Sequence, residues 1–238
     1  VLGNPHNSLR TIHVAGTNGK GSAANMLASA LAACGLKVGL YTSPHIVDFR
    51  ERMRVAGPDG GAELVSEEYV YDFLCRYEAD MDALSLSFFE ITTGMAFKWF
   101  ADQKVDVAVI EVGLGGRLDS TNVITPDLSI VTGIALDHCA LLGDTLAEIA
   151  AEKAGIFKKN APALVGEYLS ETRPVFEAKA AEVGCPLTFA EDVEPSLWHR
   201  SDEILRNMDL RGKYQRKNLR TVLAAIDILM NMPCLLYT

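Results

Sequence analysis

The sequence predicts an α/β protein with a mostly parallel sheet flanked by helices, and three observations predict it. Short β-branched runs alternate along the chain with Ala- and Leu-rich helical runs. Strands separated by helices return in the same direction through right-handed crossovers, so the sheet is mostly parallel. A glycine-rich turn joins the first strand to the first helix. The composition is that of an ordinary globular chain, with 238 residues, 49% hydrophobic and 22% charged. That length suits one large domain or two small ones.

The elements follow in order. Thr11–Ala15 is an apolar run ending in the glycine turn. Residues 22–34 form a helix closed by Gly35, a residue suited to the left-handed position after a helix end. Residues 37–41 read as a second buried strand, and residues 42–61 as a polar stretch with a turn at 58–61. Helices are expected over 66–81 and 88–103, the first opened by Ser66 with Glu67 and Glu68 in its first turn. The run V-D-V-A-V-I-E-V at 105–112 is a strand, and 128–132 another. A helix over 145–154, a strand over 163–166, a helix over 171–183 and a strand over 187–190 come next. Residues 191–211 read as irregular, and 215–230 as a last helix. In such sheets ligands sit at the carboxyl ends of the strands.

Lys and Arg number 22 against 31 Asp and Glu, a net charge of −9. A general nucleic-acid binder presents a basic face, so that class is set aside. A local phosphate site remains open, because backbone N–H groups build it. No apolar run is long enough for a membrane span. The five cysteines, Cys34, Cys75, Cys139, Cys185 and Cys234, are odd in number and widely spaced. They read as reduced thiols of a cytosolic protein. Both ends look cut, so the chain is treated as a fragment.

Four stretches carry chemistry. G-T-N-G-K-G-S at 16–22 follows a strand and opens a helix, where converging N–H groups and the helix dipole favour an anion. Lys20 can reach outer phosphates and Ser22 a magnesium ion. The spacing departs from the usual phosphate loop, because Gly21 separates lysine from hydroxyl. E-V-G-L-G-G-R-L-D-S-T-N at 111–122 places Glu111 at a strand's carboxyl end, where a carboxylate suits magnesium. Read alone, it also fits a glycine-rich loop with Asp119 capping a helix. L-D-H at 136–138 offers His138, and A-E-K-A-G at 151–155 reads locally as an ordinary helix end.

These stretches, with T-S-P-H at 42–45, R-E-R at 50–52 and S-F-F-E at 87–90, occur in the order and approximate spacing of a known family. Over residues 2–230 the chain resembles the folylpolyglutamate synthase/dihydrofolate synthase family of the Mur-ligase superfamily. The resemblance implies that residues 1–238 are the P-loop NTPase-like central ATP-binding domain of a Mur-type ligase, with the carboxy-terminal glutamate-ligase domain absent. It implies an ATP-dependent ligase adding L-glutamate to folate or dihydropteroate through an acyl phosphate, releasing ADP and phosphate. Thr17, Asn18, Gly19, Lys20, Gly21 and Ser22 match the family's phosphate loop, and Asn218 a nucleotide contact. Ser43, Glu111 and His138 match its magnesium ligands, with Ser22 a further candidate. Phe88, Phe89, Glu90, Leu118, Asp119 and Ser120 match its pterin pocket, one of the two phenylalanines being core. Lys153 matches a lysine that the superfamily carbamylates. Lys20, Lys153 and His138 are thus the candidate catalytic residues.

The expected partners are ATP, Mg2+, a folate or dihydropteroate and L-glutamate, with no nucleic acid or membrane. The full-length enzyme is expected to be a cytoplasmic monomer, and this chain to bind ATP–Mg without full turnover. Residues 187–210 look shorter than the family's usual stretch, and Tyr214 replaces a common histidine. Two alternatives stay open: a UDP-muramoyl amino-acid ligase and a non-catalytic nucleotide-binding fragment. The first usually has its hydroxyl directly after the lysine and lacks the pattern at 114–122.

Overall fold

The computed structural model describes residues 1–232. Among them, eight strands form one sheet: β1 (Thr11–Ala15), β2 (Val38–Tyr41), β3 (Met53–Ala56), β4 (Ala62–Leu64), β5 (Val107–Glu111), β6 (Leu128–Val131), β7 (Ala163–Val165) and β8 (Leu187–Phe189). The order across the sheet is β4-β3-β2-β5-β1-β6-β7-β8. All pairings are parallel except β2 with β3 and β3 with β4. The helices are α1 (Lys20–Ala33), α2 (Glu67–Leu84), α3 (Phe88–Asp102), α4 (Cys139–Leu142), α5 (Leu146–Ala154), α6 (Arg173–Val183), α7 (Ser201–Asn207) and α8 (Gln215–Met230).

The central strands are buried on both faces, as parallel strands between helices must be. On one face α1 and α8 cover Ile12, Val14, Leu40, Val109 and Ile130. On the other, α3 covers Tyr41, Met53 and Ile110, while α5 and α6 cover Ala15, Val131 and Val165. The result is three layers with β1 at the middle, so its carboxyl end opens where chain leaves to both sides.

Two stretches correct the sequence reading. Residues 42–61 hold the antiparallel strand β3 and, with 62–64, the edge strand β4, Val55 being paired to Glu63. At three and four residues these are too short for an alternating pattern to stand out. Residues 191–211, read as irregular, contain a 3-10 turn at Trp198–Arg200 and the seven-residue α7. The other expected elements lie within about three residues of their places. The last helix begins and ends where the sequence put it. Cys34, Cys75 and Cys185 carry free thiols, whereas Cys234 and residues 233–238 fall outside the described residues. Among the described residues, no helix is long and apolar enough to cross a membrane.

Candidate active site

The chain leaves β1 through Gly16, which has φ +146° and packs so closely on β6 that a Cβ would lie 2.0 Å from Thr132 Oγ1. A hydroxyl there straps the loop to the sheet: Thr132 Oγ1 donates to Asn18 O at 2.7 Å. Thr17 adds a second strap, its N–H donating to Gly133 O at 2.8 Å and its hydroxyl to Ala135 O at 3.1 Å. Gly19, at φ +83°, takes the position before α1 that L side chains avoid. A Cβ on Gly19 would also lie 2.2 Å from Asn218 Oδ1 of α8. Asn218 Nδ2 donates to Gln215 Oε1 at 2.8 Å, and Gln215 Nε2 to Ser22 Oγ at 3.3 Å. Thus Thr17, Asn18, Gly19, Lys20, Gly21, Ser22 and Asn218 stand together at the amino end of a fourteen-residue helix.

Two lysines converge on this loop. Lys20 Nζ donates to Gly16 O at 3.0 Å and Thr17 O at 3.2 Å. Lys153, buried on α5, donates to the same Gly16 carbonyl at 2.9 Å. Burial, and then the neighbouring Lys20 charge, pull the Lys153 amine down to about 8. An appreciable fraction is therefore neutral, and so nucleophilic, near neutral pH.

Glu111 ends β5 and is 4% exposed. Burial pushes its carboxyl up to about 7, against the opposing pulls of the Ser43 N–H, Lys20 and Arg54. Ser43 N donates to Glu111 Oε2 at 3.2 Å. Gly21 keeps the space beside that carboxylate open, since its Cβ would stand 3.4 Å from Oε2. Among the described residues, no three His, Cys, Asp or Glu side chains form a metal cage. One carboxylate with serine hydroxyls beside a phosphate loop is the hard-oxygen set that suits Mg2+, an ion usually completed by substrate phosphates and water. His138, at the end of the loop after β6, is exposed, with Nε2 3.6 Å from Asp137 Oδ1.

Beyond Ser43 lies a cleft of about 600 Å³. Phe89, Leu118, Asp119 and Ser120 line it, together with Arg52 and Leu142. Phe89 packs partly into the core, 6.1 Å from the Tyr41 ring. Phe88 is the exposed one, set edge-on to Phe49 at 6.0 Å and beneath the Arg52 guanidinium at 5.3 Å. Neither Phe88 nor Glu90 lines the cleft. Glu90 instead closes a capping box at the start of α3, accepting from Ser87 N at 2.8 Å. Asp119 does line the cleft, and also holds its wall by accepting from Leu114 N and Thr121 N at 2.9 Å each.

A second cleft, of about 470 Å³, adjoins Asn18 on the opposite side and is lined by Glu167, Tyr168, Thr172, Tyr214 and Lys217. The sequence motifs mark Arg52, within R-E-R, but not Glu167, Tyr168, Thr172, Lys217 or Gln215. Their signal lies only in which strand ends and helix starts the topology brings beside the loop.

No family model matches the sequence. The folylpolyglutamate synthase of Lacticaseibacillus casei is 48% identical over 186 residues, 77% of this chain and 44% of that protein. The dihydrofolate synthase/folylpolyglutamate synthase of Haemophilus influenzae is 36% identical over 223 residues, 92% of this chain and 49% of that protein. A solved FPGS–AMPPCP–folate complex superposes with a TM-score of 0.73 at 44% identity, over 79% of this chain and 46% of that one. The chain thus spans about half the length of the curated relatives it matches.

Proposed function

The chain is homologous to folylpolyglutamate and dihydrofolate synthases over most of its length, and on that premise we propose that it forms the nucleotide- and folate-binding part of an ATP-dependent ligase. The ligase joins L-glutamate to a folate or to dihydropteroate. The observation that carries this reading is the placement of the phosphate loop, with Lys20, Lys153 and Glu111, beside a cleft lined by Phe89 and Asp119.

In this reading the acceptor's carboxylate takes the γ-phosphoryl group of ATP and becomes an acyl phosphate, releasing ADP. The glutamate amine attacks the acyl carbon, loses a proton, and phosphate leaves. Lys20 turns from the loop carbonyls to the transferring phosphoryl group and offsets its charge, and the loop N–H groups orient the polyphosphate. Asn218 and Gln215 hold Gly19 and Ser22 in place. The cleft beside Asn18 takes the nucleoside. Glu111, with Ser43, Ser22 and His138, would hold Mg2+, whose charge would offset that of the phosphates. Phe89 offers a ring face to a flat pterin, and Asp119 accepts from its N–H donors.

Lys153 is the site of carbamylation: its neutral amine adds to CO2, releases a proton and becomes an anion. Its lowered proton affinity and its place at Gly16 O support this. Incubation with 13C-labelled CO2 should give a carbamate carbonyl resonance that Lys153→Met lacks, and the same resonance in the variant would contradict it. The 238 residues alone bind ATP–Mg without completing turnover, in a cytoplasmic setting that suits the free thiols.

The substrate assignment is tested by calorimetric titration with dihydropteroate. Wild type should bind it, and Asp119→Ala should bind about tenfold more weakly. Equal affinity in the two would remove the cleft as the substrate site.

A further inference from the structure

Every residue of β1 is buried, and two of the five, Thr11 and His13, bury a side-chain polar atom with no hydrogen-bond partner. Only His13, 0% exposed, is ionisable. A β-branched apolar residue would fill the place without stranding a polar atom, yet His13 Nδ1 is buried with no hydrogen-bond partner. A local choice that runs against packing points to a task for the residue.

The task is visible in what the other ring nitrogen meets. His13 Nε2 lies 2.8 Å from Thr121 Oγ1. That hydroxyl also makes a short hydrogen bond to Asp119 Oδ1. Ionised Asp119 has no proton to give, so the single Thr121 proton points to Asp119. The Thr121 oxygen must then accept from His13, which requires the proton on Nε2 and leaves Nδ1 bare. The chain of donors therefore runs one way, from His13 to Thr121 to Asp119. Burial, with a smaller push from Lys158, lowers the imidazole to about 3, so the ring stays neutral.

We infer that His13 is a positioning residue for the Asp119 carboxylate, acting through the Thr121 hydroxyl. Oδ1 of Asp119 is held by the Thr121 hydroxyl and N–H, and Oδ2 by the Leu114 N–H. With its donor fixed by His13, the Thr121 hydroxyl cannot turn away, and the carboxylate plane is set across the cleft. Its remaining lone pairs face the ligand as acceptors for N–H donors. The consequence for binding rests on the folate reading of the cleft; the hydrogen-bond arrangement does not.

Two measurements test it. Long-range 1H–15N correlation on the 15N-labelled chain reads the His13 tautomer directly. Nε2 should be protonated and Nδ1 bare, unchanged from about pH 5 to 8. The opposite tautomer, or a titration in that range, overturns the inference. Dihydropteroate affinity is then compared with ATP–Mg affinity in variants. His13→Leu and Thr121→Val should each weaken dihydropteroate about tenfold and leave ATP–Mg unchanged. His13→Gln, which can place an amide N–H near Nε2, should recover most of the loss. Equal loss for both ligands, or no rescue by glutamine, reduces His13 to a packing residue. If His13→Leu does not fold, Thr121→Val carries the comparison. If wild type binds no dihydropteroate, the folate reading falls while the tautomer still decides the arrangement.

Discussion

Glu111 shows how a single side chain couples the site to pH. Its carboxyl is raised from 4.5 to about 7, chiefly by burial. The native chain therefore binds more protons than the unfolded chain between those values. The group's contribution to stability is present at low pH and is lost as pH rises through 7. Cation binding runs the other way, because only the ionised carboxylate is a ligand. Affinity for Mg2+–nucleotide should rise about tenfold per pH unit below 7 and level off above it. Glu111→Gln should flatten that profile in calorimetric titrations between pH 6 and 8, and an unchanged slope would exclude Glu111 from the metal set. The residues of the loop were legible because glycine, lysine and hydroxyl spacing has a direct chemical reading. Glu90 was not: S-F-F-E is also the signature of a capping box, and the structure uses it so. The roles of Gln215 and Thr132 were hidden because their partners in the loop lie far away in sequence.

The elements are held in register by close approaches that the motifs encode without announcing them. The run at 111–122 and the helix end at 151–155 are one structural unit. Arg117 N donates to Glu152 O at 2.9 Å, and the Arg117 and Glu152 side chains pair at 2.9 Å. A Cβ on Gly155 would lie 2.6 Å from Arg117 Cα, so main chain rather than a flexible side chain would have to move. Gly155→Ala should therefore destabilise the fold by about 1–3 kcal/mol in urea denaturation. A neutral substitution would show that the two segments adjust independently. This explains why A-E-K-A-G looked like an ordinary helix end: its glycine answers to a backbone 38 residues earlier in the chain, as the positions of Arg117 and Gly155 show. The long alternation of strands and helices was readable for the opposite reason, since each element carries its own period. Strands β3 and β4 carry too few residues for that, yet β3 is tied to the loop. Arg54 Nη2 donates to Asn25 Oδ1 at 2.9 Å, and Asn25 Nδ2 to Gly21 O at 2.7 Å.

On the scale of the whole molecule, a parallel sheet places β1, β5 and β6 side by side with their carboxyl ends together. From those three ends come the phosphate loop, Glu111, and the segment that straps the loop and leads to Asp137 and His138. Helices α5 and α8 then deliver Lys153 and Asn218 from opposite faces of the sheet. The fold thus gathers the glycine loop with its two lysines, the buried Glu111 carboxylate beside Ser43, and the cleft lined by Phe89 at one end of the sheet. The glycine, lysine and hydroxyl spacing of the first loop was legible in the sequence, whereas the exposed course of residues 136–138 was not, because a loop leaves no periodic trace. On the proposed reading, this end of the sheet binds a magnesium nucleotide through Lys20 beside a pterin site. Calorimetric titration of ATP–Mg into wild type and Lys20→Ala, each with and without dihydropteroate, tests it most directly. Wild type should bind, Lys20→Ala should lose about tenfold or more, and dihydropteroate should tighten nucleotide binding. Nucleotide binding that is indifferent to Lys20, or its absence in a folded wild-type chain, would contradict it.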